Sequence, residues 1–452
     1  MRQQGVLVAN ANTRNSWRYK DIHVEDREAN MLKPEDNELL CRVGPGTPMG
    51  ELFRRFWIPA MIPEELPGPD CDPVRLRLLG ENLIAFRDTE GRIGILDELC
   101  PHRRASLYFG RNEECGIRCV YHGWKFDVDG NCTEMPNERP ETDFKHKVRT
   151  KTYSAAEWGG YIWVYMGPAE RKPPLPEFEW ALLPPEHRWQ KKWLYNANYM
   201  QGFEGEIDTC HTTFLHRTDD YSALSPGLAA ASANWQKDGM PTLDVRDTDY
   251  GYFYGSQRDL GDQGYNWRVT QWVLPSNSII PHPKYPISSR AYIPIDDENT
   301  FVFGTSYNPE APMTQEERDY LETGLGAAPR TIPGSYVPIT NKSNEYGLDR
   351  AVQRQGSATG MPGINNQDRA IVESMGPIVD RENEHLGTSD VAIIAARRKL
   401  IQMAKDLAAG KEPDMPLDPA LFGVRAIDVT TRIPDLDTVV ETYSEKLRLP
   451  AA

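Results

Sequence analysis

The sequence predicts an α+β fold on three observations. Short stretches of alternating apolar and polar residues, broken by glycine turns, run from residue 74 to about residue 166. Beyond a proline-rich connection, Lys172-Pro173-Pro174-Leu175-Pro176, strand-like and helix-like patterns are mixed. Near the end, one long amphipathic helix carries punctuation at both termini. An all-β first domain followed by an antiparallel sheet with helices packed on it satisfies all three.

Taken in order, residues 1–30 are polar and aperiodic, an extension expected to add nothing to the chemistry, and the pattern tightens after Met31. Gly44-Pro45-Gly46-Thr47-Pro48-Met49-Gly50 invites a dinucleotide-loop reading. Its third glycine is one residue late, two prolines intervene and no apolar strand precedes it, so that reading is weak. Thr47 as N-cap with Pro48 at the first helical position is the better account, opening a helix through Leu52, Phe53 and Phe56. This segment, 31–57, is expected to pack on the second domain.

Val74, Leu76 and Leu78 then alternate with Arg75 and Arg77, and Gly80-Glu81-Asn82 and Glu90-Gly91 turn the chain into two further strands. Asp129-Gly130 marks another hairpin, and residues 161–166 read as a buried closing strand, so a small sandwich spans 58–170. In the second domain, 171–452, a helix is predicted from about Asn198 to His211, and strands between Leu243 and Phe303. The last helix opens at Thr388-Ser389-Asp390, carries Val391, Ile394, Leu400, Ile401, Ala404 and Leu407 on its apolar side, and stops at Gly410.

Charge and cysteine usage narrow the function classes. Lys plus Arg is 51 against 66 Asp plus Glu, a net −15, which argues against nucleic acid or an anionic membrane as the main partner. No run approaches the roughly 20 apolar residues of a membrane span and no signal-peptide segment follows Met1, so a cytoplasmic location is expected. Seven cysteines, an odd number thinly spread, make a disulfide framework unsuitable and leave metal binding or burial. Of nine histidines, four fall in two short motifs.

The first motif is Cys100-Pro101-His102 followed, after a 16-residue gap, by Cys119-Val120-Tyr121-His122. Each half delivers one thiolate and one imidazole from a tight loop. Structural zinc sites usually pair like ligands, whereas a Rieske [2Fe–2S] centre has two cysteines on one iron and two histidines on the other. Mixed halves suit the second arrangement. Cys41, Cys71, Cys115 and Cys132 fall outside the motif and read as structural.

The second motif places Asp208, His211 and His216 in the spacing D-x₂-H-x₄-H. On an ideal helix Asp208 and His211 lie about 60° apart and share a face, but His216 is about 140° from His211. A regular helix cannot aim both histidines at one ion, so it should distort or end between them. Two histidines plus one carboxylate form the facial triad of a mononuclear Fe(II) that activates O₂. The third ligand then has to come from far downstream, where Asp349, Asp368, Glu373, Asp380 and Asp390 are candidates.

Cys100-Pro101-His102-Arg103 with Cys119-Val120-Tyr121-His122-Gly123-Trp124 resembles the Rieske signature, and its combination with the second motif resembles the α subunit of Rieske non-heme iron ring-hydroxylating oxygenases. The runs 42–50, 109–114 and 373–381 resemble the phthalate dioxygenase group. That resemblance implies an all-β Rieske domain plus a helix-grip-like catalytic domain, with Cys100, His102, Cys119 and His122 holding a [2Fe–2S] cluster. It further implies His211 and His216 as iron ligands, Asp208 as a bridge to the cluster ligand His122 of a neighbouring subunit, and Asp368, in an aspartate-opens-helix position, as third ligand with Glu373 as runner-up. Implied with it are homotrimers or stacked trimers, O₂ and an aromatic carboxylate as substrates, cis-dihydroxylation or O-demethylation as reaction, and NAD(P)H electrons from a separate reductase. No nicotinamide or flavin fingerprint occurs in this chain. Arg104 departs from the family, where glycine is frequent.

A carboxylate substrate needs a cation in a mostly apolar pocket. Arg258 and Arg268 lie in strand-like segments, Trp272, Tyr254 and His282 are candidates for ring contacts, and Glu204, one turn before Asp208, for the surroundings of the iron. Two rival classes predict different metal contents: an electron carrier fused to a binding domain has no use for His211, His216 and Asp368, and a structural zinc protein is colourless.

Overall fold

In the computed structural model, which describes residues 16–18, 32–220, 222 and 224–449, the first domain is built on two antiparallel sheets. The larger has six strands in the order Trp57–Met61, Tyr161–Tyr165, Thr152–Trp158, Ile93–Asp97, Glu81–Arg87, Val74–Leu78. The alternation read from Val74–Leu78 has its physical counterpart: Leu76 and Leu78 are buried while Arg75 and Arg77 face water. Residues 161–165, every one buried, close this sheet against the second domain, where the Tyr161 hydroxyl donates to the Gly304 carbonyl at 2.9 Å. The smaller sheet runs Arg111–Glu113, Gly116–Arg118, Lys125–Phe126, Cys132–Glu134. Gly130, at φ +79°, makes the turn expected at Asp129-Gly130.

The second domain is a nine-stranded antiparallel sheet. Its path is Ser16–Arg18, Thr242–Thr248, Gly251–Asp259, Tyr265–Val273, Asn277–Ile280, Ile287–Pro294, Thr300–Tyr307, Arg188–Tyr195, and Ile427–Thr431 pairs with Tyr265–Val273 off that path. Within the extension, Ser16–Arg18 is thus an edge strand, and the rest of residues 1–30 lies outside the described residues. The helices Tyr199–Ile207 and Ile364–Ser374 lie against each other, the first also on Asn277–Ile280 and Ile287–Pro294. Val391–Ala408 buries the apolar stripe read from the sequence and packs on Pro34–Cys41 and Pro48–Phe53. Among the described residues no helix is long and apolar enough to cross a membrane.

Two helix boundaries differ from expectation. Thr47 does cap its helix, its hydroxyl accepting from Gly50 N at 3.2 Å, but the helix ends at Phe53 and Phe56 is buried beyond it. Asn198 likewise caps the next, with Oδ1 accepting from Met200 N at 3.1 Å, yet that helix stops at Ile207 and does not reach His211. Asp208 turns extended, at φ −90° and ψ 105°, and Oδ1 accepts from the N–H groups of Cys210 (2.7 Å) and His211 (3.2 Å). A side chain that satisfies these amides removes the reason to continue the helix. The break therefore falls before His211, and a separate short helix, His211–Leu215, carries that histidine with His216 just past its end.

The domains are joined by buried polar contacts. Lys192 of Arg188–Tyr195 is enclosed, its Nζ 3.0 Å from Glu65 Oε1 and lying over the rings of Phe301 and Tyr336. The proline-rich connection is held along its length by Trp57 and Trp158, whose indole N–H groups donate to Pro173 (2.8 Å) and Pro176 (2.9 Å) carbonyls.

Candidate metal centres and substrate pocket

The two Cys–His loops have the same backbone construction. Cys100 N donates to Ala105 O at 2.8 Å and Arg104 N to Cys100 O at 2.9 Å; in the other loop Cys119 N donates to Trp124 O at 2.8 Å and Gly123 N to Cys119 O at 2.9 Å. Four residues after each cysteine the chain turns left-handed, at Arg104 (φ +60°) and Gly123 (φ +78°). The loops bring both cysteines, buried, and both imidazoles together, with His102 and His122 ring centroids 4.5 Å apart and His102 stacked on Trp124 at 4.4 Å. The residues fit a metal cluster. Burial pushes the Cys100 thiol up to about 12, so a thiolate there needs the positive charge of a bound cation, and His122 Nδ1 is buried without a hydrogen-bond partner.

Arg104 occupies a conformation that costs a side-chain-bearing residue about 1–2 kcal/mol. Its guanidinium is exposed, with Nη1 donating to Leu99 O at a long 3.5 Å and a 3.9 Å approach to Asp97, contacts that contribute little. Arg104→Gly should therefore raise stability by about 0.5–1 kcal/mol after glycine's extra unfolded-chain entropy, measured as a higher melting temperature with an unchanged cluster spectrum.

The second centre is assembled from the His211–Leu215 helix and the Ile364–Ser374 helix. His211 Nε2 and His216 Nε2 are 3.2 Å apart, and Asp368 Oδ1 is 3.5 Å from the first and 3.0 Å from the second. Among the described residues, these three donors form a group whose ligand atoms all lie within 4.8 Å of one another. Asp368 sits in the second turn of its helix and does not open it. Burial alone would raise its carboxyl, but His216 and His211 hold it well below the usual carboxylate range. The other downstream candidates are used elsewhere: Asp349 accepts from Ala351 N, Glu373 from Asn196 N and the Tyr346 hydroxyl, Asp380 from Glu382 N, and Asp390 from Gly387 N.

A hydrogen bond orients His216, and a carboxylate stands near His211. The Gln367 amide donates from Nε2 to Met361 O at 2.9 Å, which turns Oε1 toward His216 Nδ1 at 2.8 Å. His216 Nδ1 must then carry the proton, leaving Nε2 as a lone-pair donor. On the other side Asp208 Oδ2 lies 3.7 Å from His211 Nδ1. Gln367 was not singled out in the sequence, although its place beside Asp368 was the available signal. Gln367→Ala should lower iron affinity about 10–100-fold with the fold intact, read by chelator competition.

Over this centre lies a cavity of about 80 Å³, with Trp235, Tyr254, Arg268, Ile280, His282 and Arg290 on its wall. Of the residues expected there, Tyr254, Arg268 and His282 arrive, and three do not. Trp272 is packed in the core against Tyr252, with ring centroids 4.8 Å apart. Arg258 is fully buried away from the cavity, its Nη2 donating to Thr209 O at 3.2 Å, and burial together with Arg268 pushes it down to about 10. Glu204 is held between Arg381 (2.9 Å) and Arg397 (2.6 Å), and Glu206, two residues on, faces the cavity instead. Glu206 pairs with Arg290 and accepts from the Tyr292 hydroxyl at 2.7 Å, so Arg290 has its counter-charge.

Arg268 is less balanced. Nη1 donates to the Thr209 hydroxyl and Nη2 to Pro281 O, both at 3.1 Å, and Nε has no hydrogen-bond partner. Asp428 Oδ2 is 3.4 Å from Nε, and burial holds that carboxyl above its ordinary value despite Arg268. Beside it His282, bonded to the Ser288 hydroxyl at 3.1 Å, is pushed down to about 3 by burial and then by Arg268, and is a neutral imidazole at neutral pH.

An electron-carrier domain coupled to a His–His–carboxylate centre on a helix-backed sheet is the make-up of a two-centre iron oxygenase. Residues 56–154 match the Rieske [2Fe-2S] domain and residues 164–424 the LigXa C-terminal domain like family. The chain is 41% identical over 392 residues to the phthalate 4,5-dioxygenase oxygenase subunit of Pseudomonas putida, covering 84% of this chain and 88% of that protein. It is 32% identical to the 5,5'-dehydrodivanillate O-demethylase oxygenase subunit of a Sphingobium species, covering 86% and 85%. A crystal structure of dicamba monooxygenase bound to dicamba shares the fold, with TM-score 0.54 and 17% identity over 79% of this chain and 98% of that one. The chain belongs to the Rieske non-heme iron oxygenases, as an oxygenase subunit, and the family's cofactors are the [2Fe–2S] cluster and a mononuclear iron.

Proposed function

We propose that this chain is the terminal oxygenase that hydroxylates an aromatic carboxylate by phthalate-type cis-dihydroxylation, with O₂ and NAD(P)H-derived electrons delivered by a separate reductase to a homotrimer or stacked trimers. The observation that carries the substrate class is Arg268 on the wall of the cavity over His211, His216 and Asp368, with Nε free of any hydrogen bond and its counter-charge Asp428 standing off at 3.4 Å. Arg258 adds a second buried guanidinium nearby, under the influence of Asp428 and Asp238, and a substrate anion at Arg268 would add to the counter-charge of this buried pair.

Cys100, Cys119, His102 and His122 would hold the cluster, and His211, His216 and Asp368 the iron. With both bound, the cluster supplies single electrons and the iron activates O₂ beside the substrate. The chain's own residues do the rest. Gln367 fixes the His216 tautomer, and Asp208 orients His211 and bridges to His122 of a neighbouring subunit. Arg268 sets the carboxylate end of the ring at a fixed distance from the reacting edge, neutral His282 offers a hydrogen-bonding edge without competing charge, and Trp235 and Ile280 keep water off the ring.

A second reading, O-demethylation of a methoxylated aromatic acid, is favoured by the likeness to the dehydrodivanillate O-demethylase subunit. Product analysis after incubation with a compatible reductase and a panel of phthalates, methoxybenzoates and biphenyl dicarboxylates separates them: a cis-diol supports the first, a phenol with formaldehyde the second. With the accepted acid, Arg268→Gln should raise KM about 10–100-fold, and an unchanged KM would remove Arg268 from the site.

A further inference from the structure

The cavity over His211, His216 and Asp368 is too small for the substrate assigned to it. An apolar cavity known to hold one benzene ring has about 150 Å³, roughly twice the 80 Å³ present. Directly outside lies a second cavity of about 710 Å³, between the start of the Pro226–Lys237 helix, the loop before Ile287–Pro294 and the Gln315–Glu322 helix. Four residues line both spaces: Leu228, His282, Ser288 and Ala327. The His282–Ser288 hydrogen bond and the Leu228 side chain thus form a throat between them. Together the two spaces fall in the range of ordinary ligand sites, which the inner one alone does not reach.

We propose that the substrate occupies both cavities through this throat, and that it is an aromatic acid longer than one ring, with its carboxylate inside and an uncharged distal end outside. The assignment of the inner end rests on the reading of Arg268 as carboxylate anchor. The distal end is uncharged because the outer wall carries Glu316, Glu317 and Asp319 against Lys284, a net negative surface that repels a second anion. The throat residues, Ser288 and Leu228, then set how wide the spanning part can be, while residues of the outer wall alone act on long ligands selectively.

Isothermal titration of the holoenzyme with benzoate, biphenyl-4-carboxylate and the neutral 4-phenylbenzyl alcohol tests this. The biphenyl acid should bind at least about 10-fold tighter than benzoate. Leu224→Trp and Thr323→Trp, at residues that line the outer cavity and not the inner one, should each weaken the biphenyl acid about 10-fold or more while moving benzoate less than about 3-fold. Equal affinity for the two acids, or equal losses for both in the variants, overturns the proposal. Binding of the alcohol with the same sensitivity to the outer-wall variants, but of neither acid, supports the two-cavity seat and overturns the Arg268 reading.

Discussion

Asp368→Ala protein is expected to contain about two irons per chain where the unaltered protein contains about three, and to lose turnover by a factor of about 10³ or more. Asp368 is the one anion among the three converging groups, so its removal leaves two neutral imidazoles, a weak set for a ferrous ion. The loops at Cys100 and Cys119 belong to the other domain, in a hydrophobic cluster of their own, so the cluster's absorbance should be unchanged. Metal analysis with the visible spectrum reads both outcomes. Two irons per chain in the unaltered protein would instead favour an electron carrier without an oxygen site, and a colourless zinc-loaded preparation would sink the Rieske assignment of the loops.

Asp208→Asn is expected to keep all three irons, the cluster spectrum and the fold, while coupled turnover falls about 100-fold or more. Asparagine retains a carbonyl oxygen at Oδ1 to accept from Cys210 N and His211 N, so the turn that ends Tyr199–Ile207 is preserved. What is lost is the negative charge beside His211 Nδ1, the element through which the two centres are proposed to communicate between subunits. Stopped-flow reduction by the reductase should remain fast while product formation slows, and normal turnover would falsify the bridging role.

Much of this was legible because local chemistry wrote it into short segments. The hairpins around Leu76 and Leu78, the Thr47 cap and the stripe of Val391–Ala408 follow from periodicities of two and 3.6 that the buried faces then honour. The Cys–His loops are equally local: each fits in a six-residue turn closed by its own backbone hydrogen bonds. The helix over 198–211 went wrong for a reason the pattern hides, since Asp208 is an acceptable helix residue until its carboxylate takes up the Cys210 and His211 amides. Arg258, Trp272 and Glu204 share another reason. Residue type and strand or helix placement say which side chains are able to line a pocket, but which face of Gly251–Asp259, Tyr265–Val273 or Tyr199–Ile207 meets it depends on partners far along the chain.

By itself the sequence determined the two metal-site motifs and their order along the chain, because those are matters of residue chemistry at fixed short spacing. The resemblance pointed to Asp368, 152 residues beyond His216 in number, and the tertiary structure brings it to the histidines; only the structure decided that Gln367 fixes the His216 tautomer and that Arg268 faces the cavity while Arg258 does not. Those outcomes are set by how the Ile364–Ser374 helix packs on Tyr199–Ile207 and by the register of the nine-stranded sheet, and long-range packing of that kind leaves no periodic trace in the chain.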